Sequence, residues 1–250
     1  DRHRTIVAPV RSGRDIGLPP VVFDVGGLKF GMNICEDAWF DEAPRAAKAA
    51  GADVLCVLNA SPFHLGKLKE REDRMAACAR DIALPLLYVH LTGGQDEVVF
   101  DGASFALDAS GSVVARAPMF EEALTFVEVS LAGIGGDVAP VPAFEAQVWA
   151  ALVNGVRDYI GKNGFPGVII GLSGGIDSAL VFAVAVDALG ADRVRTVMMP
   201  SAYTAEISWI DARDMAQRLG VRYDEISIAP MVEAFRASLA QEFAGLKENT

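Results

Sequence analysis

Cysteine is scarce in this chain: the 250 residues hold three, Cys35, Cys56 and Cys78. They are too few and too scattered for a disulfide framework, and none has the paired CxxC spacing of a zinc site. A reducing, cytoplasmic setting is the expectation. Histidine is equally sparse, and His3, His64 and His90 are not spaced as metal ligands. No apolar run approaches the roughly 20 residues needed to cross a bilayer, so no membrane partner is expected. Basic residues are outnumbered, 22 Lys and Arg against 33 Asp and Glu, for a net charge of −11. That balance argues against a nucleic-acid surface held by counterion release. An anionic nucleotide would have to be held by local donors, helix N-termini and metal ions. The ends lack features too. "DRHRTIVAPV" has neither a signal-peptide core nor an initiating Met, and "FAGLKENT" stops without a terminal element. The chain therefore reads as a piece of a longer one, cut at both ends.

What is present describes a folded globular protein, with 52% hydrophobic and 22% charged residues. "VVFDVGGLKFGMNI" predicts a hairpin about Gly26-Gly27. After Cys35, "EDAWFDEAPRAAKAAGA" predicts an Ala-rich helix with Pro44 near its start and Gly51 at its end. "DVLCVLNA" and "LPLLYVHLT" read as strands around a half-buried helix, "GKLKEREDRMAACARDIA". "EVVFDGASFALDASGSVVARAP" reads as two strands joined at Ala109-Ser110-Gly111, and "LTFVEVSL" closes the series. Hairpins alternating with helices suggest a layered α/β or α+β domain over residues 1–130. Residues 131–144 are rich in Gly, Ala and Pro and read as a linker. Residues 145–250 begin with a helix stopped near Gly164, then alternate strand and helix, the mark of a parallel sheet.

The first strand of this second part ends in "GVIIGLSGGIDSALV". A glycine pair at a strand-to-helix turn is common, but this one opens a helix at the carboxyl end of an apolar strand. Ligands bind there in open parallel sheets. Gly174 and Gly175 let backbone N–H groups approach an anion, the helix start adds partial positive charge, and Ser173 and Ser178 add hydroxyls. The loop lacks the Lys of a Walker loop, and Asp177 stands in its place. A carboxylate facing phosphates needs a divalent cation between them, so Asp177 is the expected Mg²⁺ ligand.

Cys35 ends an apolar run and is followed at once by the polar "EDAWFDE". That places its thiol at a strand end open to substrate, whereas Cys56 and Cys78 read as core. A free thiol is only a few per cent thiolate at neutral pH, so a base from another segment must assist. His64, in "SPFHLGK", reads either as a pocket residue or as an ordinary polar loop residue, and His90 has no role from sequence.

Ser173-Gly-Gly-Ile-Asp-Ser178 resembles the SGGxDS signature of the ATP pyrophosphatases, the PP-loop enzymes. The resemblance implies that Gly171, Leu172, Ser173, Gly174, Gly175, Ile176, Asp177 and Ser178 hold ATP, joined by Met199 and Ser201 from the end of the next strand. "GMNICEDAW", "NASPFHLGK" and "GGQDEVVFDGASFALDASG" are similar to the nitrilase-type glutaminase domain. This implies Cys35 as nucleophile, with Glu36, Ser61 and Lys67 as glutamine-binding residues beside the Gln95-Asp96-Glu97 loop. The Glu and Lys of that family's triad lie further upstream than this chain reaches, so the triad is not complete within it. Together the two halves resemble the glutamine-dependent NAD synthetase family. The implied fold is α/β: the C-terminal part of a nitrilase-like αββα sandwich, then a Rossmann-like parallel-sheet PP-loop domain of the adenine nucleotide alpha hydrolase kind. The implied activity is a ligase reaction of NAD biosynthesis. ATP with Mg²⁺ adenylates nicotinic acid adenine dinucleotide, and ammonia from glutamine displaces AMP, in a homo-oligomer. The same loop also suits another PP-loop synthetase with a different acceptor, or a nucleotide-binding module without catalysis.

Overall fold

The computed structural model describes residues 19–245, so His3 lies outside the described residues. The chain divides into two compact units at Ala151/Leu152, within a helix.

In the first unit, β1 (Val21–Val25) and β2 (Leu28–Ile34) form the expected hairpin, with Gly26 and Gly27 at φ 64° and 86°. Positive φ at both central residues is what a two-residue hairpin turn demands. The helix expected directly after Cys35 is instead split. Cys35–Trp39 forms a 3-10 turn, and α1 (Glu42–Ala49) follows with Pro44 in its first turn, where the missing N–H costs nothing. Then come β3 (Val54–Asn59), α2 (Lys67–Ile82) and β4 (Leu86–His90). Strands β2, β3 and β4 run parallel, so their carboxyl ends share one edge. The six-stranded sheet is completed by β7 (Phe105–Leu107) and β8 (Val113–Arg116), antiparallel beside β4. Helices α1 and α2 supply one wall of the core, where Ala47, Met75 and Ile82 pack with Leu55, Leu86 and Phe105.

Two differences from the sequence reading have a common cause. β5 (Thr92–Gln95) pairs with β6 (Val98–Asp101), and β9 (Val127–Ser130) pairs with β10 (Gly133–Gly136). Strands β5 and β10, "TGGQ" and "GIGG", carry almost no apolar side chains, so periodicity could not reveal them. Backbone pairing forms them despite glycine's entropic cost. β10 therefore occupies part of the stretch 131–144 that reads as a linker.

The second unit takes over along α3 (Phe144–Lys162) and holds a parallel sheet in the order β11 (Val168–Gly171), β12 (Val194–Met198), β13 (Arg222–Glu225). Between and after these strands run α4 (Ile176–Leu189), α5 (Glu206–Arg218) and α6 (Ala229–Leu239). Leu172, Phe182, Ala185, Val194, Ala212 and Val221 form its core. Among the described residues no helix is long and apolar enough to cross a membrane.

Candidate functional site

Cys35 is the first residue past β2 and has φ 50°, a left-handed backbone that a non-glycine residue adopts at some cost. The strand must turn there at once, which lifts the side chain off the sheet edge, and Cys35 is exposed. Asp37 secures the turn by accepting the Ile34 N–H at 3.0 Å. Beside the thiol lies an open cleft of about 660 Å³, lined by the ends of three parallel strands: Ile34 and Cys35, Leu58 to Ala60, and Val89 to Thr92. Glu122 and Ala123 close one side. Cys56 and Cys78 are half-buried and buried as the core reading expects, and burial pushes the Cys78 thiol up to about 11.

Behind the cleft is a hydrogen-bonded cluster of buried polar groups. The Asn59 amide donates to Ser61 Oγ at 3.0 Å and to the Tyr88 hydroxyl. Arg71, on α2, donates through Nη1 to Ser61 Oγ at 3.4 Å and to His90 Nε2, and through Nη2 to Asp101. Arg71 and Asp101 are both fully buried. The second ring nitrogen of His90 lies 2.8 Å from the Leu91 carbonyl. A carbonyl only accepts, so Nδ1 carries the proton and Nε2 is the acceptor facing Arg71. Burial, reinforced by Arg71, holds the His90 pKa below its ordinary value. His90 thus shares the cleft with Cys35 as a neutral imidazole with both nitrogens engaged, a poor general base for the thiol.

Of the residues expected around glutamine, Ser61 belongs to this cluster. Lys67 begins α2, stacks over the Trp39 ring at 4.8 Å and pairs with Glu70 at 3.0 Å. Glu36 is exposed next to Cys35. None of Glu36, Ser61 and Lys67 is among the residues that line the cleft. His64 is also off the cleft, exposed and 3.7 Å from Glu70. The Asp96-Glu97 turn joins β5 to β6, and Thr92 at the start of β5 reaches the cleft. Sequence reasoning missed Asn59, Arg71, Tyr88, His90 and Asp101.

The second site is the turn from β11 into α4. Leu172 is buried and contributes its backbone, with its N–H bonded to Val197 O at 2.9 Å. Gly174 has φ 81° and lies so close to α5 that a Cβ would sit 2.3 Å from the Ser208 carbonyl oxygen. Gly175 is the N-cap of α4. The serines are not free donors here. Ser178 donates to Gly175 O at 2.9 Å and accepts the Ser173 N–H at 3.2 Å, while Ser173 Oγ lies 3.0 Å from Ser178 Oγ and accepts the Gly175 N–H. They staple the loop into shape around the helix start. Ile176 and Asp177 are exposed on the first turn of α4. At the end of β12, Met198 is buried and Met199 exposed, and Gly171 lies beside the Met199 methyl. Ser201 follows in a turn where its N–H bonds Thr204 Oγ1 at 3.0 Å. Thr204 is one residue before the N-cap of α5, Ala205, so its hydroxyl serves the turn.

Among the described residues no group of three or more His, Cys, Asp or Glu could hold a metal ion. One exposed carboxylate, Asp177, fits a Mg²⁺ whose other ligands come with a polyphosphate, not a metal resident in the protein.

The carbon-nitrogen hydrolase family matches residues 2–137, and the NAD synthase family matches residues 148–250. The glutamine-dependent NAD(+) synthetase of Rhodobacter capsulatus is 44% identical over 226 residues, covering 88% of this chain and 41% of its own length. That of Acinetobacter baylyi is 40% identical over 222 residues, with 88% and 41% covered. The structure of glutamine-dependent NAD+ synthetase from Acinetobacter baumannii in complex with adenosine diphosphate superposes with a TM-score of 0.87 at 39% identity. It covers 93% of this chain and 45% of its own. The chain therefore spans less than half the length of these relatives. It belongs to the carbon-nitrogen hydrolase family, in the form whose hydrolase segment is followed by NAD synthase sequence.

Proposed function

We propose that this chain carries the amide-hydrolysing nucleophile and the ATP loop of an enzyme that makes NAD from nicotinic acid adenine dinucleotide, using ammonia from glutamine. The observation that carries the reading is Cys35, exposed on a left-handed turn at the joint edge of three parallel strands, above a cleft whose lining includes buried Asn59 and His90. Its thiolate attacks the glutamine side-chain amide, ammonia leaves, and water hydrolyses the resulting thioester to glutamate. His90 is engaged at both nitrogens, so the proton acceptor for the thiol is another group.

At the second site, the N–H groups around Gly174 and Gly175 and the start of α4 receive the ATP pyrophosphate, and Asp177 shares its Mg²⁺. Mg²⁺ bound there supplies charge neutralisation as pyrophosphate departs. The substrate carboxylate displaces pyrophosphate from the α-phosphorus, and ammonia then displaces AMP at the carbonyl carbon. Residues 1–130 act as the glutaminase part and 145–250 as the synthetase part. Gly171, Leu172, Ser173, Ile176 and Ser178 shape the loop, and Met199 and Ser201 border the nucleotide. Glu36 and Lys67 act from the rim of the first site. A cytoplasmic homo-oligomer completes the reading.

The test uses the full-length protein with ATP, Mg²⁺ and nicotinic acid adenine dinucleotide, given glutamine or ammonium. NAD from both nitrogen sources, with Cys35→Ala losing only the glutamine-driven reaction, is the expected result. Absence of AMP with either source sinks the reading.

A further inference from the structure

The centre of the first unit's polar cluster lies behind the cleft lining. Arg71 is fully buried, absent from the cleft lining, and spans three partners: Asp101, His90 and Ser61. We infer that Arg71, anchored by Asp101, is a positioning residue for the glutamine cleft, fixing His90 in its wall and Ser61 behind it in one donor–acceptor arrangement. The inference rests on reading the cleft as a glutaminase site.

His90 Nε2 has a single lone pair, and Arg71 Nη1 takes it. Nδ1–H is committed to the Leu91 carbonyl, so the ring is pinned at both ends. Ser61 Oγ accepts from the Asn59 amide at 3.0 Å and from Arg71 at 3.4 Å. A hydroxyl has two acceptor lone pairs and one proton. With both lone pairs used, Ser61 is left as a donor. His90 Nε2 lies 3.3 Å away but is already occupied, so that proton is not drawn into the ring. Asn59 and His90 both line the cleft, so the arrangement reaches the substrate through them. Without Arg71, the imidazole is free to accept the Ser61 proton or to rotate, and the wall has several competing patterns. The expected cost falls on holding glutamine, not on the reactivity of the thiol.

Removing Arg71 alone strands a buried carboxylate, so the test variant is Arg71→Met/Asp101→Asn, which removes both charges. His90→Asn is the second variant, altering the wall while keeping the ion pair. Both are made in the full-length protein. Three rates are read: glutamine turnover, ammonium-driven NAD formation, and alkylation of Cys35 by iodoacetamide, which has no amino-acid head to position. Both variants are expected to raise the glutamine KM about tenfold or more, with kcat within about threefold and the other two rates within about twofold of wild type. A glutamine KM less than threefold above wild type in either variant overturns the inference. So does a KM rise matched by equal losses in the ammonium and alkylation rates, which marks a merely structural pair. If the wild-type protein makes NAD from ammonium but hydrolyses no glutamine, the reading of the cleft fails, and this inference fails with it.

Discussion

Replacing Gly174 by alanine builds a Cβ 2.3 Å from the carbonyl oxygen of Ser208 and 2.6 Å from its Cα. Both are backbone atoms of α5, which no rotamer change can move aside. The position also has φ 81°, where a Cβ costs about 1–2 kcal/mol before any clash. Overpacking against a backbone adds about 1–3 kcal/mol, so a total near 3 kcal/mol is expected. At about 4 °C per kcal/mol for a unit of this size, the transition of the second unit falls by roughly 10 °C. Its neighbour is the control. Gly175 has φ −86° and ψ 159°, which any residue adopts, and a Cβ there meets only Ser173 Oγ at 3.5 Å. Gly175→Ala is therefore expected to leave the transition unchanged or raise it slightly, through a stiffer unfolded chain worth about 0.4–1 kcal/mol. The assay is thermal unfolding of both variants in the full-length protein, followed by calorimetric titration with MgATP. Gly174→Ala unfolding within 2 °C (roughly 0.5 kcal/mol) of wild type refutes the reasoning. Equal damage from Gly175→Ala refutes it too, because it would show that φ and the α5 contact do not decide the cost.

Arg71→Met alone leaves Asp101 buried without its counter-charge and is expected to cost about 3–5 kcal/mol in urea unfolding, with part recovered by adding Asp101→Asn. Folded His90 resists protonation because of burial and Arg71. The unfolded chain takes up that proton near pH 6.5 and so binds more protons below it, which makes stability fall as pH drops from about 6.5 towards the lower folded pKa. Urea midpoints at pH 7.5 and 5.5 should differ less in His90→Asn than in wild type. Leu172→Ala, at a side chain 1% exposed, is expected to cost about 2–5 kcal/mol, measured in the same way.

The elements that sequence made legible are those with strong periodicity: β1 to β4, α2, and the alternation from β11 to α6. Cys35 and the serine–glycine loop were legible because their residue types stand at the junction of two element types. The polar cluster was not recognised, although one sign of it is in the sequence. Arg71 falls on the same stripe of α2 as Leu68, Met75, Cys78 and Ile82, all buried. A guanidinium on an apolar stripe must find a buried partner. Which partner it finds depends on β6, and Asp101 is 30 residues away in sequence. His90 looked featureless because its role comes from Arg71 and Leu91, not from its own spacing. Ser173 and Ser178 were recognised as part of the loop, but their bonds to each other depend on the local turn geometry.

Those serine bonds have a consequence for affinity. Because Ser173 and Ser178 already tie the loop to the start of α4, its ordering is completed during folding, before any anion arrives. If the loop receives phosphate as proposed, a preformed loop keeps the apparent dissociation constant near the intrinsic one. Loosening the staple changes the binding-competent fraction and leaves the ligand's own contacts intact. If Ser178→Ala reduced the competent fraction to about one third, the apparent dissociation constant would rise about threefold, although no hydrogen bond to the ligand had been removed.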